Sequence, residues 1–377
     1  MTTSAQALAA PLFESFTMGP MTLNNRIVMA PMTRNHSPGG VPGDDVAAYY
    51  KSRAAGGVGL IITEGTYIDH PGANGYPGVP AFHGTQALEG WQRVVEGVHA
   101  AGGKIVPQLW HVGRERRPGV EPDASAPGFG PMSVVEDGVE VVQAMTEDDI
   151  QEVAASFARA ALDAQRIGFD GIELHGAHGY LIDQFLWPAS NQRTDAYGGS
   201  PENRLRFPRL IVRTVREAVG PDFPIIFRFS QWKLSDYDAI IAETPEALGD
   251  ILKPLAQEGV DIFHASTRRI WEAGFEGSSK TLATWTRELT GKPVIAVGSV
   301  GLDKTFRTGH FTRTEDPTSK SRVNVEELAT WRSNGDFDLI AIGRALLSDP
   351  QWANKVRDGH LEALTDFDRS ALDTLVS

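Results

Sequence analysis

The chain of 377 residues is predicted to belong to the α/β class and to form a single (β/α)8 TIM barrel. Short apolar segments that suit buried strands alternate with longer segments of helical periodicity along nearly the whole chain, which indicates a parallel sheet. Eight strand segments are found, and eight is the number that closes a barrel with a filled interior. No Gly-x-Gly-x-x-Gly follows any strand, so an open, doubly wound sheet of the dinucleotide-binding kind is the weaker alternative.

The predicted strands are apolar runs of four or five residues that end close to polar or glycine-rich segments. They cover residues 26–30, 60–64, 105–109, 171–175, 225–229, 262–265, 294–297 and 339–342. The predicted helices lie between them and cover residues 44–55, 86–101, 147–166, 202–219, 245–258, 279–290 and 325–333. The third helix follows Thr146, with the carboxylate of Asp149 three residues later, and this is the pattern of a capping box.

Two segments do not fit the strand–helix repeat. Residues 13–25 alternate around Gly19-Pro20 and are predicted to form a hairpin that covers the N-terminal end of the barrel. Residues 301–322, between strands seven and eight, are polar and lack periodicity, so they are expected to be a functional or mobile insertion. With these two additions, residues 1–377 are expected to form one domain.

Composition excludes several classes of function. The formal net charge of −13 disfavours nucleic acid or an anionic membrane surface as a partner, because both require a basic face. No apolar run approaches the ~18 residues of a membrane span, and the first residues lack the pattern of a secretory signal. The chain has no cysteine, so disulfides, thiolate nucleophiles and cysteine-bound clusters are excluded. This composition is typical of a cytoplasmic protein.

The segment His175-Gly176-Ala177-His178-Gly179-Tyr180 directly follows the fourth predicted strand, and catalytic groups of such barrels lie where strands end. Two imidazoles and a phenol at this point could polarise a carbonyl group and protonate a neighbouring carbon. Metal ligation and ordinary loop histidines are the alternatives. A zinc site is disfavoured, because it needs a third ligand and usually a helical i, i+4 pair, which the flanking glycines oppose.

Characteristic motifs also end the other predicted strands. They are Ala30-Pro31-Met32-Thr33-Arg34, Gln108-Leu109-Trp110-His111-Val112-Gly113-Arg114, Arg228, Gly298-Ser299-Val300-Gly301 and Gly343-Arg344. In this order, and together with the double-histidine segment and the later Tyr197-Gly198-Gly199-Ser200-Pro201-Glu202-Asn203-Arg204, they resemble the Old Yellow Enzyme family of FMN-dependent ene-reductases. The resemblance extends over residues 11–358.

The resemblance implies that FMN is bound non-covalently at the strand ends. The amide of Gln108 would offer a donor and an acceptor to the pyrimidine edge, and Arg228 would place a cation near N1 of the reduced flavin. Thr33 matches the position that hydrogen-bonds the flavin O4, next to Pro31 and Met32. For Arg228, the alternative is a buried ion pair.

The resemblance also implies that the flavin phosphate lies near strands seven and eight, where barrels of this kind commonly bind phosphate. Backbone amides around Gly298, Ser299 and Gly343 would approach the anion closely, and the guanidinium of Arg344 would add charge-assisted hydrogen bonds. Simple turn formation is the alternative for the glycines.

The catalytic roles follow from the same resemblance. His175 and His178 would hold the carbonyl or nitro oxygen of the substrate, and Tyr180 would protonate the α-carbon. Tyr76 and Trp110 match aromatic positions that line the substrate pocket, and packing is the alternative for both.

The implied activity is reduction of activated C=C bonds with NAD(P)H as co-substrate, without a metal. Expected substrates are electrophilic alkenes: α,β-unsaturated aldehydes, ketones, maleimides and nitroalkenes, with hydride reaching the β-carbon from reduced flavin. The alternatives are a nitro-compound or nitrate-ester reductase and a flavin-binding redox sensor with incidental turnover. A monomer or homodimer is expected. Residues 229–237 and 301–322 depart from the better-known members of the family, which leaves the substrate preference open.

Overall fold

The chain folds into a closed barrel of eight parallel strands surrounded by helices, in a computed structural model that describes residues 4–303, 319 and 325–377. Each barrel strand pairs with the preceding and the following barrel strand along the chain, and the last pairs with the first. This arrangement confirms the (β/α)8 TIM barrel that the alternating strand and helix patterns predict.

The barrel consists of β3, β4, β5 and β9 to β13, and the remaining strands form two small sheets outside it. In chain order the strands are β1 (Phe16–Met18), β2 (Met21–Leu23), β3 (Ile27–Met29), β4 (Leu60–Tyr67), β5 (Lys104–Trp110), β6 (Gly128–Gly130), β7 (Val134–Glu136), β8 (Val139–Ala144), β9 (Ile172–His178), β10 (Ile225–Lys233), β11 (Ile262–Ser266), β12 (Val294–Val297) and β13 (Leu339–Ile342).

Alternation along each strand decides which side chains face the barrel interior, because successive residues of a strand point to opposite faces. On β3, Ile27 and Met29 pack outward against the helices, whereas Val28 belongs to an inner apolar cluster. On β10, Ile226 belongs to that inner cluster, and Arg228 follows it on the same face. The interior is therefore apolar at one end and becomes polar toward the C-terminal ends of the strands.

The hairpin of β1 and β2 covers the N-terminal end of this interior. Its two strands pair antiparallel on either side of Gly19-Pro20. Phe16, Met21 and Leu23 pack in the same cluster as the inward-facing apolar side chains of the barrel strands. The floor of the barrel is closed in this way, and only the opposite end can form an open site.

Helices connect the barrel strands on the outside, and side-chain caps fix where several of them begin. They are α1 (Ser4–Ala9), α2 (Asp44–Ala55), α3 (Thr85–Ala100), α4 (Glu147–Arg166), α5 (Leu181–Leu186), α6 (Pro201–Val219), α7 (Pro245–Glu258), α8 (Leu282–Thr290), α9 (Val325–Asn334), α10 (Ala345–Ser348) and α11 (Trp352–Arg357). The capping box predicted at Thr146 and Asp149 is present in both directions. Helix α8 begins three residues later than predicted, because Thr281 caps it.

Strand β9 is longer than its sequence pattern predicts and continues to His178 instead of ending at residue 175. Strand β10 likewise continues to Lys233, and the two extensions pair across a bulge, with His178 opposite Lys233. The double-histidine segment therefore begins inside a strand, which extends to its fourth residue, His178, and ends there with a positive φ. Glycine content alone does not reveal this, because the pairing partner lies more than fifty residues away in the chain.

Two further features are absent from the sequence prediction. A three-stranded sheet of β6, β8 and β7 lies between β5 and α4, and Asp137-Gly138 turns β7 into β8 with positive φ at both residues. Four short helices, α1, α5, α10 and α11, are absent from the prediction as well, because each is too short for helical periodicity to show in the sequence. Most of the predicted insertion, residues 304–318 and 320–322, lies outside the described residues.

Candidate active site

A cleft opens at the C-terminal ends of the barrel strands, opposite the hairpin floor. Segments that follow β3, β5, β9, β10, β11, β12 and β13 contribute to its walls. Of the residues predicted to form a site, all except Tyr76 line this cleft: Pro31, Met32, Thr33, Gln108, Trp110, His175, His178, Tyr180, Arg228, Gly298, Ser299, Gly343 and Arg344. Residues separated by more than three hundred positions in the sequence thus share one surface.

His175 lies buried at the C-terminal end of β9, and its neighbours determine its protonation state. Its Nδ1 accepts a hydrogen bond from the backbone N–H of Ala177 at 3.3 Å, so Nε2 carries the ring proton. Burial, together with the nearby Arg228 guanidinium, lowers the pKa of His175 well below its ordinary value of 6.5. The ring is therefore neutral and has one N–H, at Nε2, to donate.

His178 ends β9 with a φ of 65°, an uncommon conformation for a residue other than glycine. Its ring stacks on Trp232 with centroids 4.4 Å apart, and its Nε2 lies 2.8 Å from Oγ of Ser266. The centroids of the His178 and His175 rings are 5.2 Å apart. Burial and the charge of Arg228 lower the pKa of His178 well below its usual value, so two neutral imidazoles stand side by side.

Tyr180 immediately precedes α5 and packs edge-on against Trp110 and His175, with ring centroids 4.8 and 5.0 Å away. Its hydroxyl lies 3.3 Å from the hydroxyl of Tyr76, whose ring stacks on Trp110 at 5.7 Å. Burial raises the pKa of Tyr180 well above its ordinary value. The phenol therefore keeps its proton and can act as a donor beside the two histidines.

A fully buried ion pair holds the segment between His178 and Tyr180. Nζ of Lys233 donates to Oδ1 of Asp183 at 2.8 Å, and neither side chain has exposed surface. The second oxygen of Asp183 accepts from the backbone N–H of Gly179 at 2.7 Å. Sequence analysis missed this pair, because a lysine after strand five and an aspartate after strand four become neighbours only when β9 and β10 pair.

Gln108 ends a chain of buried polar groups that crosses the barrel interior. Its Nε2 donates to Oε1 of Glu173 at 2.7 Å, and Oε2 of Glu173 lies 2.6 Å from Nδ1 of His264. The contact fixes which end of the Gln108 amide is nitrogen. The second N–H and the carbonyl oxygen of that amide remain for a ligand in the cleft. Sequence analysis missed Glu173 and His264, although both lie on inward positions of predicted strands.

Arg228 is buried near Gln108 without a carboxylate within 4.0 Å among the described residues. One Nη donates to Oγ of Ser266 at 3.2 Å, while Nε has no hydrogen-bond partner in the described part of the chain. The buried ion pair considered as the alternative role is therefore not found there. A buried guanidinium without a paired carboxylate suits an anionic ligand, because an isolated buried charge is costly.

The loop of residues 31–34 is held from the adjacent strand by Glu64. Its Oε2 accepts from the backbone N–H groups of Arg34 and Asn35 at 2.8 and 3.3 Å. Burial raises the pKa of Glu64 to about 7. The guanidinium of Arg34 donates to backbone carbonyl oxygens near the C-terminus, which ties this loop to the last turn of the chain.

The segments after β12 and β13 form the opposite edge of the cleft. Gly298 has a φ of 155°, and a Cβ there would lie 2.7 Å from the carbonyl oxygen of Thr267, so this close approach requires glycine. Ser299 follows with a φ of 49°. Burial lowers the pKa of Arg344 to about 10, which leaves it cationic at neutral pH. A cation and two irregular backbone segments at neighbouring strand ends suit a phosphate group.

Sequence analysis missed four side chains that line the cleft beside His178. They are Trp232, Tyr237, Ser266 and Arg268. Trp232 and Tyr237 lie in the segment where the sequence departs from the better-known family pattern, so a motif comparison could not place them. Ser266 ends β11, and its alternating pattern alone predicts an inward side chain without indicating that it contacts a histidine.

Two negative observations apply to the described ranges alone. No group of three or more His, Cys, Asp or Glu side chains there could hold a metal ion. No helix within those ranges combines the length and the apolar character that crossing a membrane requires.

Comparison with known proteins gives a consistent result. The sequence pattern of the NADH:flavin oxidoreductase / NADH oxidase family matches residues 11–310. The chain is 41% identical over 376 residues to 12-oxophytodienoate reductase 1 of Oryza sativa subsp. japonica, and the matched region covers 98% of this chain and 91% of that protein. It is 36% identical over 360 residues to an NADH oxidase of Thermoanaerobacter brockii, covering 92% of this chain and 51% of that longer protein.

Solved structures with the same fold include the following two. Morphinone reductase in complex with tetrahydroNAD superposes with a TM-score of 0.78 at 30% identity, covering 96% of this chain and 93% of the other. The old yellow enzyme homologue from Zymomonas mobilis superposes with a TM-score of 0.78 at 25% identity, covering 96% of both chains.

Proposed function

Because the chain belongs to the NADH:flavin oxidoreductase / NADH oxidase family, of the Old Yellow Enzyme type, we propose that it reduces the C=C bond of electrophilic alkenes and that Tyr180 supplies the proton. Membership makes it an NAD(P)H-dependent flavin oxidoreductase that binds FMN non-covalently. The proposed substrates are α,β-unsaturated aldehydes, ketones, maleimides and nitroalkenes. The observation that carries the proposal is the grouping of two neutral imidazoles and one protonated phenol on a single wall of the cleft.

The residues around the cleft fit FMN by their chemistry. Arg228, which is buried and has no carboxylate partner among the described residues, would lie near N1, and the amide of Gln108, fixed by Glu173, would bind the pyrimidine edge. Thr33 would bind O4 beside Pro31 and Met32. The phosphate would be held by Gly298, Ser299, Gly343 and Arg344. The chemistry that FMN supplies when bound is hydride transfer, first from NAD(P)H and then to the substrate.

His175 and His178 would hold the substrate oxygen. When the β-carbon of an enone accepts a hydride, negative charge develops on the carbonyl oxygen, and donors placed there stabilise the transition state. A neutral imidazole has one ring N–H that can donate a hydrogen bond. The depressed pKa values of His175 and His178 keep both rings in this neutral form. His175 donates from Nε2, and Ser266 holds the orientation of the His178 ring.

Tyr180 would protonate the α-carbon. A general acid must carry its proton at working pH and stand within reach of the reacting atom. The raised pKa of Tyr180 meets the first condition, and its ring contact with His175 places it beside the proposed oxygen-binding group. Trp110 and Tyr76 would form the apolar wall of the substrate pocket around this phenol.

The proposed function is tested with 2-cyclohexenone, N-ethylmaleimide and 1-nitrocyclohexene as substrates under anaerobic conditions. We expect NAD(P)H to bleach the flavin absorbance and each alkene to restore it, with the saturated compound as product. His175→Ala and His178→Ala should retain FMN but bind a phenol, followed by its charge-transfer band, more weakly. Flavin that is reduced by NAD(P)H but reoxidised by none of the three alkenes would contradict the proposal.

The flavin assignment has its own test in Arg228. Arg228→Ala should weaken FMN binding or lower the flavin potential, because the cation that favours the anionic reduced flavin is lost. Arg228→Lys keeps the charge and should show the smaller change. An unchanged dissociation constant for FMN together with an unchanged potential would show that Arg228 is structural.

A further inference from the structure

One guanidinium group of the cleft lining has a role neither in the proposed function nor in holding the backbone. Four arginines line it, Arg34, Arg228, Arg268 and Arg344, and no Asp or Glu belongs to its lining among the described residues. Arg34 is bound to backbone carbonyls near the C-terminus, and Arg228 and Arg344 are assigned to the flavin. Arg268 has no part in either arrangement. In a chain of net charge −13, a cleft whose charged lining residues, among those described, are all arginines favours anionic ligands.

The side chain of Arg268 is half-buried and is held mainly by an aromatic contact. Its guanidinium carbon lies 4.4 Å from the centre of the Tyr237 ring. Its Nε is shielded from solvent and has no hydrogen-bond partner in the described part of the chain. The ring contact orients the planar guanidinium without using its N–H donors, which remain for a ligand with acceptor oxygens.

Arg268 is connected to the proposed oxygen-binding group by a row of stacked side chains. The ring of His178 stacks on that of Trp232 with centroids 4.4 Å apart, and the centroids of the Trp232 and Tyr237 rings are 5.7 Å apart. The guanidinium of Arg268 lies over the Tyr237 ring. This aromatic row forms one wall of the cleft. A molecule whose oxygen is held at His178 and whose chain follows this wall ends at Arg268.

A second cavity adjoins the cleft and shares Trp232, Tyr237 and Arg268 with it. Asp238, Glu243 and Glu272 line this second cavity and not the cleft, and the other arginine of its lining, Arg269, pairs with Glu272. The second cavity therefore has more acidic than basic side chains in its lining, so the favourable position for an anion is the boundary between the two spaces, where Arg268 lies.

We propose that Arg268 is the anchor of an anion subsite, which binds the carboxylate or phosphate of a molecule whose reactive group lies at His175 and His178. The subsite rests on the proposed function, because it extends the same cleft. An arginine binds either oxyanion with two parallel hydrogen bonds. The anion has two possible sources, an acidic tail of the alkene substrate and the phosphate of NAD(P)H, and both share this chemistry.

The test compares an acidic ligand with its neutral ester. The substrates are 6-maleimidohexanoic acid and its methyl ester, which are usable because the chain has no cysteine for a maleimide to alkylate. The saturated analogues, 6-succinimidohexanoic acid and its methyl ester, report binding by calorimetry without turnover. The variants are Arg268→Gln, Arg268→Lys and the control Arg269→Gln, which removes the same charge from the next residue, outside the cleft lining and paired with Glu272.

We expect the wild-type holoenzyme to bind the acid about tenfold more tightly than the ester, since hydrogen bonds to charged groups contribute this much or more. Arg268→Gln should abolish the difference, Arg268→Lys should retain part of it, and Arg269→Gln all of it. N-Ethylmaleimide, which is neutral, should be reduced by Arg269→Gln as fast as by the wild type. If Arg268→Gln instead leaves the acid-to-ester ratio intact and changes the NADPH-to-NADH ratio of flavin reduction, the anion is the phosphate of the co-substrate.

Unchanged ratios in both assays would overturn the subsite. That result is distinct from failure of the proposed function, which would appear as absence of N-ethylmaleimide reduction by the wild type.

Discussion

At the residue scale, burial determines which form of each titratable group the cleft presents. Both imidazoles of the proposed oxygen-binding pair, His175 and His178, are neutral because burial and the Arg228 charge oppose a further positive charge. Tyr180 is a phenol because burial opposes its ionisation. A donor pair and an acid thus coexist at neutral pH without any of them needing to change protonation before reaction.

The role of Tyr180 predicts a difference between two substrate classes. If an enone accepts a hydride without a proton, it becomes a high-energy enolate. A nitroalkene that accepts a hydride becomes a nitronate, which is stable enough to dissociate from the enzyme. Tyr180→Phe should therefore slow reoxidation of the flavin by 2-cyclohexenone by about 100-fold or more, the usual contribution of a general acid. Reoxidation by 1-nitrocyclohexene and reduction by NAD(P)H should change little. Equal losses for enone and nitroalkene in stopped-flow would mean that Tyr180 only shapes the pocket.

The neutral histidines predict a flat pH profile. Because both pKa values lie well below 6.5, neither ring titrates as the pH falls from about 8 to about 6, and the rate of reoxidation by a nitroalkene should stay constant. His178→Asn replaces an imidazole by a donor that cannot titrate, and its profile should be equally flat. An inflection near pH 6.5 in the wild type that disappears in His178→Asn would show that this ring does ionise.

At the scale of elements, pairing of β9 with β10 creates contacts that neither strand contains alone. The buried pair of Lys233 and Asp183 joins the end of β10 to α5 and holds the backbone of Gly179. Breaking a buried ion pair leaves an uncompensated charge, which is far more costly than losing an exposed pair. The stability of the cleft wall that contains His175, His178 and Tyr180 therefore depends on Lys233 and Asp183, which do not line the cleft.

This pair gives a quantitative prediction. Asp183→Ala should lower the free energy of unfolding by about 3–5 kcal/mol, because the Lys233 ammonium remains buried without its counter-charge. The double variant Asp183→Leu with Lys233→Met should lose less. Glu288→Ala breaks an exposed Lys–Glu pair, that of Lys280, and should cost less than about 1 kcal/mol. Denaturant unfolding measures all three, and equal losses for Asp183→Ala and Glu288→Ala would show that the buried pair is not holding the wall.

Glu64 links β4 to the loop after β3 and predicts a dependence of stability on pH. Burial raises the pKa of Glu64 in the folded protein from 4.5 to about 7. Its contribution to the stability of the fold is therefore complete below the pKa of the unfolded chain and is lost as the pH rises to about 7. The wild type should lose up to roughly 3 kcal/mol relative to Glu64→Gln over this interval, at about 1.36 kcal/mol per pKa unit. Denaturant unfolding between about pH 5 and pH 8 tests this. A difference between the two proteins that is constant with pH would show that Glu64 does not titrate there.

At the scale of the whole molecule, the sequence predicts the barrel well because each strand is an apolar run of the right length between helices. All eight predicted strands and all seven predicted helices are present, several with the predicted ends and the others with ends shifted. Local patterns fail where an element is short, as in α10, or where its partner is distant, as at the end of β9. The net charge of −13 contrasts with the cleft, where the charged lining residues among those described are all arginines.

The candidate site is predictable only where a motif marks it. His175, Tyr180 and Arg228 stand in recognisable segments at strand ends. Glu173 and Lys233 do not, because a buried carboxylate or ammonium has the same sequence appearance as an exposed one until its partner is known. The expected monomer or homodimer, the cytoplasmic location and the absence of a nucleic-acid partner stay predictions from composition.

A two-label experiment tests the central claim, the reduction of an activated C=C bond with hydride at one carbon and a proton at the other. The holoenzyme would reduce 2-cyclohexenone once with NAD(P)H deuterated at the transferable position in ordinary water, and once with unlabelled NAD(P)H in deuterated water. We expect deuterium at the β-carbon in the first product and at the α-carbon in the second, determined by NMR. Recovery of unreduced 2-cyclohexenone from flavin that NAD(P)H has fully reduced, or solvent deuterium at the β-carbon, would contradict it.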